Sequence, residues 1–232
     1  MIYLYLALTF IGGYLIGNVN FARIFSWIFA KKDITTVGSK NPGTMNMLRT
    51  RGFGEALLTL IFEAIKSGAP AIAMYFLFEH FFPAYGDVAF FLTAFGAIVG
   101  HCFPVFYKFK GGKGVACTFG MFVFNPHFWW VALIGFVVGF LLFLFVIKIP
   151  FIISEIFILS LSVYSTVMFS IWGIKQLIAT LVILWLNFVL ILFMHRGNIK
   201  RLLAGKENTV DLKSKIFKKK ETQKPQEGNT NK

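Results

Sequence analysis

Seven apolar runs, at 2–29, 54–79, 88–106, 115–124, 127–147, 150–171 and 174–194, alternate with short polar stretches. A helix crosses a hydrocarbon core with about 20 residues, so six of these runs are long enough to span a bilayer. The pattern predicts an all-α polytopic membrane protein with seven transmembrane helices. The first run is longer than a straight span needs, and its end, NVNFARIFSW, is expected to bend along the interface. The fourth is one short helix after a glycine turn; ten helical residues cover ~15 Å, about half a core. That turn is therefore expected below the membrane surface. Polar residues inside the runs are few: Asn18, Asn20, Arg23, Glu63, Lys66 and Glu155. Glu63 and Lys66 are spaced i,i+3 on one helical face, close enough to pair. Ionisable groups in a span face protein or water, which makes this pair a candidate functional site.

Composition agrees with this reading. The chain is 57% hydrophobic with a mean hydropathy of +0.71, more apolar surface than a soluble domain of this size hides. Charge fixes the orientation. All Lys and Arg except Arg23, Lys66 and Lys175 fall in the loops at 31–52, 107–114 and 148 or from Arg196 onward. Such asymmetry predicts the N-terminus outside and the C-terminus cytoplasmic. The Gly-, Asn- and Ser-rich loops share that cytoplasmic side, so the chemistry is expected there. Residues 1–207 form the membrane domain, and 208–232 read as a basic, disordered cytoplasmic tail. The first run lacks a basic leader and reads as a retained span. Cys102 and Cys117 have no His at ligand spacing and read as small packing residues.

Three polar clusters carry the candidate chemistry. The first loop holds Gly38, Ser39, Asn41, Gly43 and Asn46, followed by Arg49, a donor set suited to an anionic headgroup. It also reads as an ordinary turn capping the next helix. The second is the turn FKGGKGV, with Lys110, Gly111, Gly112, Lys113 and Gly114. Glycine lets backbone N–H groups approach a phosphate, and lysine supplies compact charge. It lacks the spacing and the Ser or Thr of a Walker A loop, which argues against a nucleotide triphosphatase. The third cluster follows the last run: His195, Asn198, Arg201, Gly205 and Glu207. No Ser-His-Asp set, carboxylate pair or metal-ligand cluster stands out, so no metal or cofactor is expected.

Taken in this order on seven runs, the three motifs resemble the bacterial acyl-phosphate-dependent glycerol-3-phosphate acyltransferases. That family carries GS-x-N-x-G-x-x-N-x-x-R, a G-H-x-F-P-V-F segment leading into F-K-G-G-K-G-V-A, and H-R-x-N-I-x-R-L-x-x-G-x-E. The chain matches them from Gly38 to Arg49, from Gly100 to Ala116 and from His195 to Glu207, and Glu63, Lys66 and Gly68 resemble a further D-x-x-K-G element. Three positions depart. Thr44-Met45 stands for the usual Ala-Thr, Cys117 for a common Thr, and the segment from Lys148 to Ser154 keeps one of two usual hydroxyls.

The resemblance implies transfer of an acyl group from acyl phosphate to the 1-hydroxyl of sn-glycerol 3-phosphate, giving lysophosphatidic acid and phosphate. Under it, the Gly111–Gly114 amides, Lys113 and Ser154 hold acyl phosphate, and Ser39, Arg49 and Lys110 hold glycerol 3-phosphate. Asn198 stabilises the oxyanion and His195 orients substrate. Gly38, Asn41, Gly43, Asn46, Arg201, Gly205 and Glu207 complete the binding set. Implied partners are the two substrates, the bilayer of a bacterial cell membrane and an enzyme that supplies acyl phosphate, with no nucleic acid. A different class, a transporter or flippase for a phosphorylated solute or lipid, would use the same anion site without chemistry. Arg23, Glu63, Lys66 and Glu155 within the runs favour it; the absence of an inverted repeat disfavours it.

Overall fold

A computed structural model describes residues 1–217, all helix and connecting loop, with no strand among the described residues. Five stretches are long and apolar enough to cross a membrane: Ile2–Ala30, Phe53–Phe81, Gly86–Tyr107, Pro150–Trp172 and Leu177–Met194. A sixth apolar helix, Trp129–Phe145, has 17 residues, and the segment after the glycine turn forms the helix Val115–Val123 of nine.

The first apolar run breaks where its asparagines stand. Helix α1 (Ile2–Gly17) ends at Asn18, and α2 (Phe21–Ala30) begins anew at Asn20, whose side chain accepts from Arg23 N as an N-cap. A short α3 (Thr44–Thr50) then leads into α4 (Phe53–Phe81). The long α4 is followed by α5 (Gly86–Cys102), the glycine turn, α6 (Val115–Val123) and α7 (Trp129–Phe145). Helices α8 (Pro150–Trp172), α9 (Leu177–Met194) and α10 (Arg196–Leu203) complete the bundle, and α11 (Leu212–Phe217) closes the described chain.

Small residues set the tightest crossing. At Gly13, Gly17, Gly96 and Gly100 a methyl group would lie 2.1–2.3 Å from a carbonyl oxygen of the facing helix, so α1 and α5 touch backbone to backbone. The seam brings the end of α1 to the segment that precedes the glycine turn. There Asn18 Oδ1 accepts from Val105 N at 2.6 Å and Tyr14 donates its hydroxyl to Phe103 O at 2.9 Å. On the other side of the turn, α6 lies on α4, with Ser67 donating to Cys117 O at 2.7 Å. The core between these helices is aromatic and aliphatic, with Phe90, Phe91, Phe122, Phe128 and Phe169 fully buried. At the opposite end of the bundle, His127 Nε2 meets Asp87 Oδ1 at 2.8 Å, and its ring contacts Tyr75, Phe169 and Trp172.

Of the expected tail, residues 208–217 are described and 218–232 lie outside the described residues. Val210 N donates to Lys148 O at 2.8 Å, and Val210 and Leu212 are buried in a second apolar cluster with α2, α3 and α4. This part of the segment is folded against the bundle because its two apolar side chains find a complementary cluster.

Candidate active site

The polar loops converge on a single cavity of about 1060 Å³. One end is cationic, bordered by Arg23, Lys40, Arg49, Lys110, Lys113 and Arg201. The other is apolar, bordered by Phe53, Leu60, Phe119, Phe136, Phe140 and Phe157 from α4, α6, α7 and α8. Ser39, Asn41, Gly43, Asn46, Ser154, His195, Asn198 and Glu207 border the same space, as do Gly111 and Gly114. Three expected site residues, Gly38, Gly112 and Gly205, do not line it and act on the backbone behind it.

The first loop is built around a buried asparagine. Asn46 Nδ2 donates to Ile34 O at 2.9 Å and Val37 O at 3.0 Å, while its Oδ1 accepts from Ser39 N at 2.9 Å. Its amide is therefore engaged in shaping the loop and in presenting Ser39, whose side chain is exposed. Arg49, half-buried on α3, borders the cavity, and burial pulls its guanidinium below its usual value. Asn20, at the break between α1 and α2, donates to Pro42 O at 3.0 Å and so ties the first helices to this loop.

The glycine turn folds back on the end of α5. Gly111 N donates to Cys102 O at 3.2 Å and Gly112 N to His101 O at 3.0 Å. A methyl group on Gly112 would lie 2.1 Å from His101 Nε2, so the close approach demands glycine. These two amides are thus already bonded to α5. Lys113 N and Gly114 N make no such bond among the described residues, and beyond them Gly114, at φ +84, caps α6. A helix's first-turn N–H groups have no intrahelical acceptor and favour negative charge. Of the four amides expected at the turn, those of Gly111 and Gly112 are therefore engaged within the fold.

Lys113 reaches across the cavity to Asn198 Oδ1. Asn198 Nδ2 donates to Glu207 Oε1 at 2.7 Å, and Glu207 Oε2 accepts from Arg201 Nε at 2.9 Å. A lysine only donates and a carboxylate only accepts, so these partners fix which way the Asn198 amide faces. Its second N–H remains for a ligand. Burial and the Arg201 guanidinium push Lys113 down to about 8, against the pull of the Glu207 carboxylate. Ser154 donates to Phe151 O at 2.8 Å, and Gly205, at φ +66, ends α10 and turns the chain toward Glu207. His195 is buried, with Nδ1 2.7 Å from Glu155 Oε1.

Beneath the cavity lies the pair expected on α4, with a third member. Lys66 Nζ is 2.5 Å from Glu63 Oε2 and 3.0 Å from His101 Nδ1, and His101 Nδ1 is 3.0 Å from the same Glu63 oxygen. Glu63 Oε1 accepts from Phe21 N at 2.8 Å, and Lys66 donates to Gly17 O and Val19 O, so the cluster clamps the break between α1 and α2. Glu63, His101 and Cys117 bring one ligand atom each within 4.8 Å of one another. The Lys66 ammonium sits against two of these atoms, Glu63 Oε2 and His101 Nδ1, and its charge would repel a metal cation.

A family model described as glycerol-3-phosphate acyltransferase matches residues 7–205. The chain belongs to the glycerol-3-phosphate acyltransferase family. The family member of Mycoplasma mobile is 36% identical over 223 residues, covering 88% of this chain and 92% of its own length. That of Cupriavidus metallidurans is 34% identical over 206 residues, covering 88% and 95%. A crystal structure of PlsY, an integral membrane glycerol 3-phosphate acyltransferase, in its glycerol 3-phosphate form is similar with a TM-score of 0.73. It is 27% identical and covers 92% of this chain and 100% of its own. The lysophosphatidic acid form of PlsY gives a TM-score of 0.72. The chain is thus an integral membrane protein of the acyltransferase family.

Sequence reading gave Glu155 only as an in-span acid that would suit a transporter, with no partner. An acid inside an apolar run was its signal, and its partner His195 lies 40 residues away on another helix.

Proposed function

We propose that the protein transfers an acyl group from acyl phosphate to the 1-hydroxyl of sn-glycerol 3-phosphate, releasing inorganic phosphate and lysophosphatidic acid. Seven spans, with the N-terminus outside and the cavity at the cytoplasmic face of a bacterial cell membrane, complete the reading. The observation that carries it is one cavity bordered by a set of Lys and Arg side chains and by a phenylalanine-lined arm. Both substrates bear a phosphate, and only one bears a long apolar chain.

Lys113 and the first-turn amides of α6 bind the acyl phosphate headgroup, with Ser154 at its edge. The acyl chain lies along Phe119, Phe136 and Phe140. Ser39, Arg49 and Lys110 bind the phosphate of glycerol 3-phosphate, and Asn41 and Gly43 shape that loop. The glycerol oxygen forms a bond to the acyl carbon, and the bond from that carbon to the phosphate oxygen breaks. As charge develops on the carbonyl oxygen, the second N–H of Asn198 Nδ2 stabilises it; a single such donor is worth about 10²–10³ in rate. The hydroxyl proton passes to a phosphate oxygen, so the enzyme's contribution is positioning and electrostatics. Arg201 and Glu207 keep Asn198 in place.

The test uses purified full-length protein in detergent with acyl phosphate and glycerol 3-phosphate. Phosphate release matched by lysophosphatidic acid is expected, and Lys113→Ala should lower both by about 10²–10³. Release from neither the parent nor the variant, with folding intact, would overturn the reading and favour transport.

A further inference from the structure

One largely covered acid has no part in the scheme above. Glu155 lies in the second turn of α8 with its side chain 15% exposed, and neither carboxylate oxygen receives a hydrogen bond among the described residues. A carboxylate withdrawn from water inside a span needs a counter-group, and such residues mark function more often than packing. Its Oε1 lies 2.7 Å from His195 Nδ1, in ion-pair distance. The same nitrogen is 3.1 Å from Ile191 O.

Those two neighbours decide where the imidazole carries its proton. A carbonyl and a carboxylate both accept, so the nitrogen facing them is the protonated one. Ile191 O already accepts the His195 backbone N–H at 3.0 Å, which makes it a shared and weaker acceptor. Phe151 covers the ring, its centroid 5.7 Å away and its plane tilted by 27°. Nε2, on the opposite edge, has no protein hydrogen bond among the described residues, and His195 borders the cavity.

We propose that Glu155 is a positioning residue for His195, holding Nδ1 as the protonated nitrogen so that Nε2 offers its lone pair to the hydroxyl of glycerol 3-phosphate. This rests on the acyl-transfer reading. In the bound complex the ring accepts the hydroxyl's hydrogen bond, which points the oxygen at the acyl carbon before the proton leaves for the phosphate oxygen. Without the carboxylate the ring is free to turn over, which would present an N–H or carbon edge to the substrate instead.

The experiment joins nitrogen NMR of histidine to steady-state kinetics on the full chain. The His195 signals are assigned by their loss in His195→Gln. The parent is expected to show an Nδ1-protonated ring, and Glu155→Leu a mixture of tautomers or the Nε2-protonated one. In the same variant kcat should fall by about 10- to 100-fold, the order seen when a histidine's outer partner is removed, with KM for acyl phosphate little changed. Glu155→Gln, which keeps volume and an acceptor, should lose less and serves as the test if Glu155→Leu does not fold. In a His195→Gln background, Glu155→Leu should add no further loss. An Nε2-protonated ring in the parent overturns the proposal. So does an unchanged kcat in a folded Glu155→Leu, or losses that multiply in the double variant. A parent that makes no lysophosphatidic acid instead overturns the reaction reading, and the tautomer spectra then judge the Glu155–His195 contact alone.

Discussion

Lys113 and Asn198, 85 residues apart, meet across the cavity, the ammonium donating to the side-chain carbonyl. The contact joins the glycine turn to the helix that follows the last span. Asn198 in turn donates to Glu207 at 2.7 Å, so a cation, an amide and a carboxylate form one chain along the cavity wall. Each member fixes its neighbour: the carboxylate orients the amide, and the amide holds the lysine beside the helix N-terminus.

Because they act as a unit, their losses should not multiply. Lys113→Ala and Asn198→Ala are each expected to lower kcat/KM by about 10²–10³, and the double variant by little more. A double variant that falls by the full product would mean that the two residues serve separate steps. Product formation at several acyl phosphate concentrations measures it.

The pH dependence follows from the lysine. Burial and the Arg201 guanidinium depress Lys113 to about 8, so its phosphate-binding charge is present below that pH and lost above it. In the free enzyme, kcat/KM for acyl phosphate should fall as pH rises through about 8. Arg201→Gln removes a neighbouring positive charge and should move this limb to higher pH. Glu207→Gln removes a negative one and should move it lower. A limb that stays in place in both variants would assign the titration to another group.

The Glu63–Lys66–His101 cluster predicts a stability effect of opposite character. Glu63 and Lys66 are buried and 2.5 Å apart, so removing one charge strands the other. Lys66→Met should destabilise by about 3–5 kcal/mol, while Glu63→Leu combined with Lys66→Met should cost less than either alone. Thermal unfolding in one detergent compares the three. Equal or greater loss in the double variant would show that the clamp on Gly17 O and Val19 O matters more than the charge balance.

Gly112→Ala tests the turn. Its methyl group would meet His101 Nε2 at 2.1 Å, forcing the ring or the turn to shift. Overpacking of this kind costs about 1–3 kcal/mol. Activity should fall further than stability, because Lys113 is the next residue. Gly54→Ala, where nothing lies within 4 Å, is the control and should match the parent.

Much of this was legible in the sequence because hydropathy and motif spacing are local. The apolar runs gave the helices, and the three polar clusters do border one cavity. What escaped was non-local or depended on backbone direction. The end of the first run was expected to bend, but a hydropathy window does not register that Asn20 caps a new helix and that Glu63 accepts from Phe21 N. Gly111 and Gly112 looked like phosphate ligands, but their N–H groups point to α5, which only the fold decides. Glu155 looked like an isolated acid, because its partner is on another helix.

The chain Lys113–Asn198–Glu207 also bears on how the protein is made. Helices α1 to α8 all begin before residue 177, yet the wall facing Lys113 comes from residues translated after them. A nascent chain that has inserted α1 to α8 holds a lysine with no amide to receive it and a cavity open on that side. The polar end takes its working shape only when α10 leaves the ribosome and Val210 reaches Lys148. Membrane insertion and acquisition of the binding site are therefore separate events, and a nonsense mutation just before Glu207 would yield an inserted protein with an unfinished site.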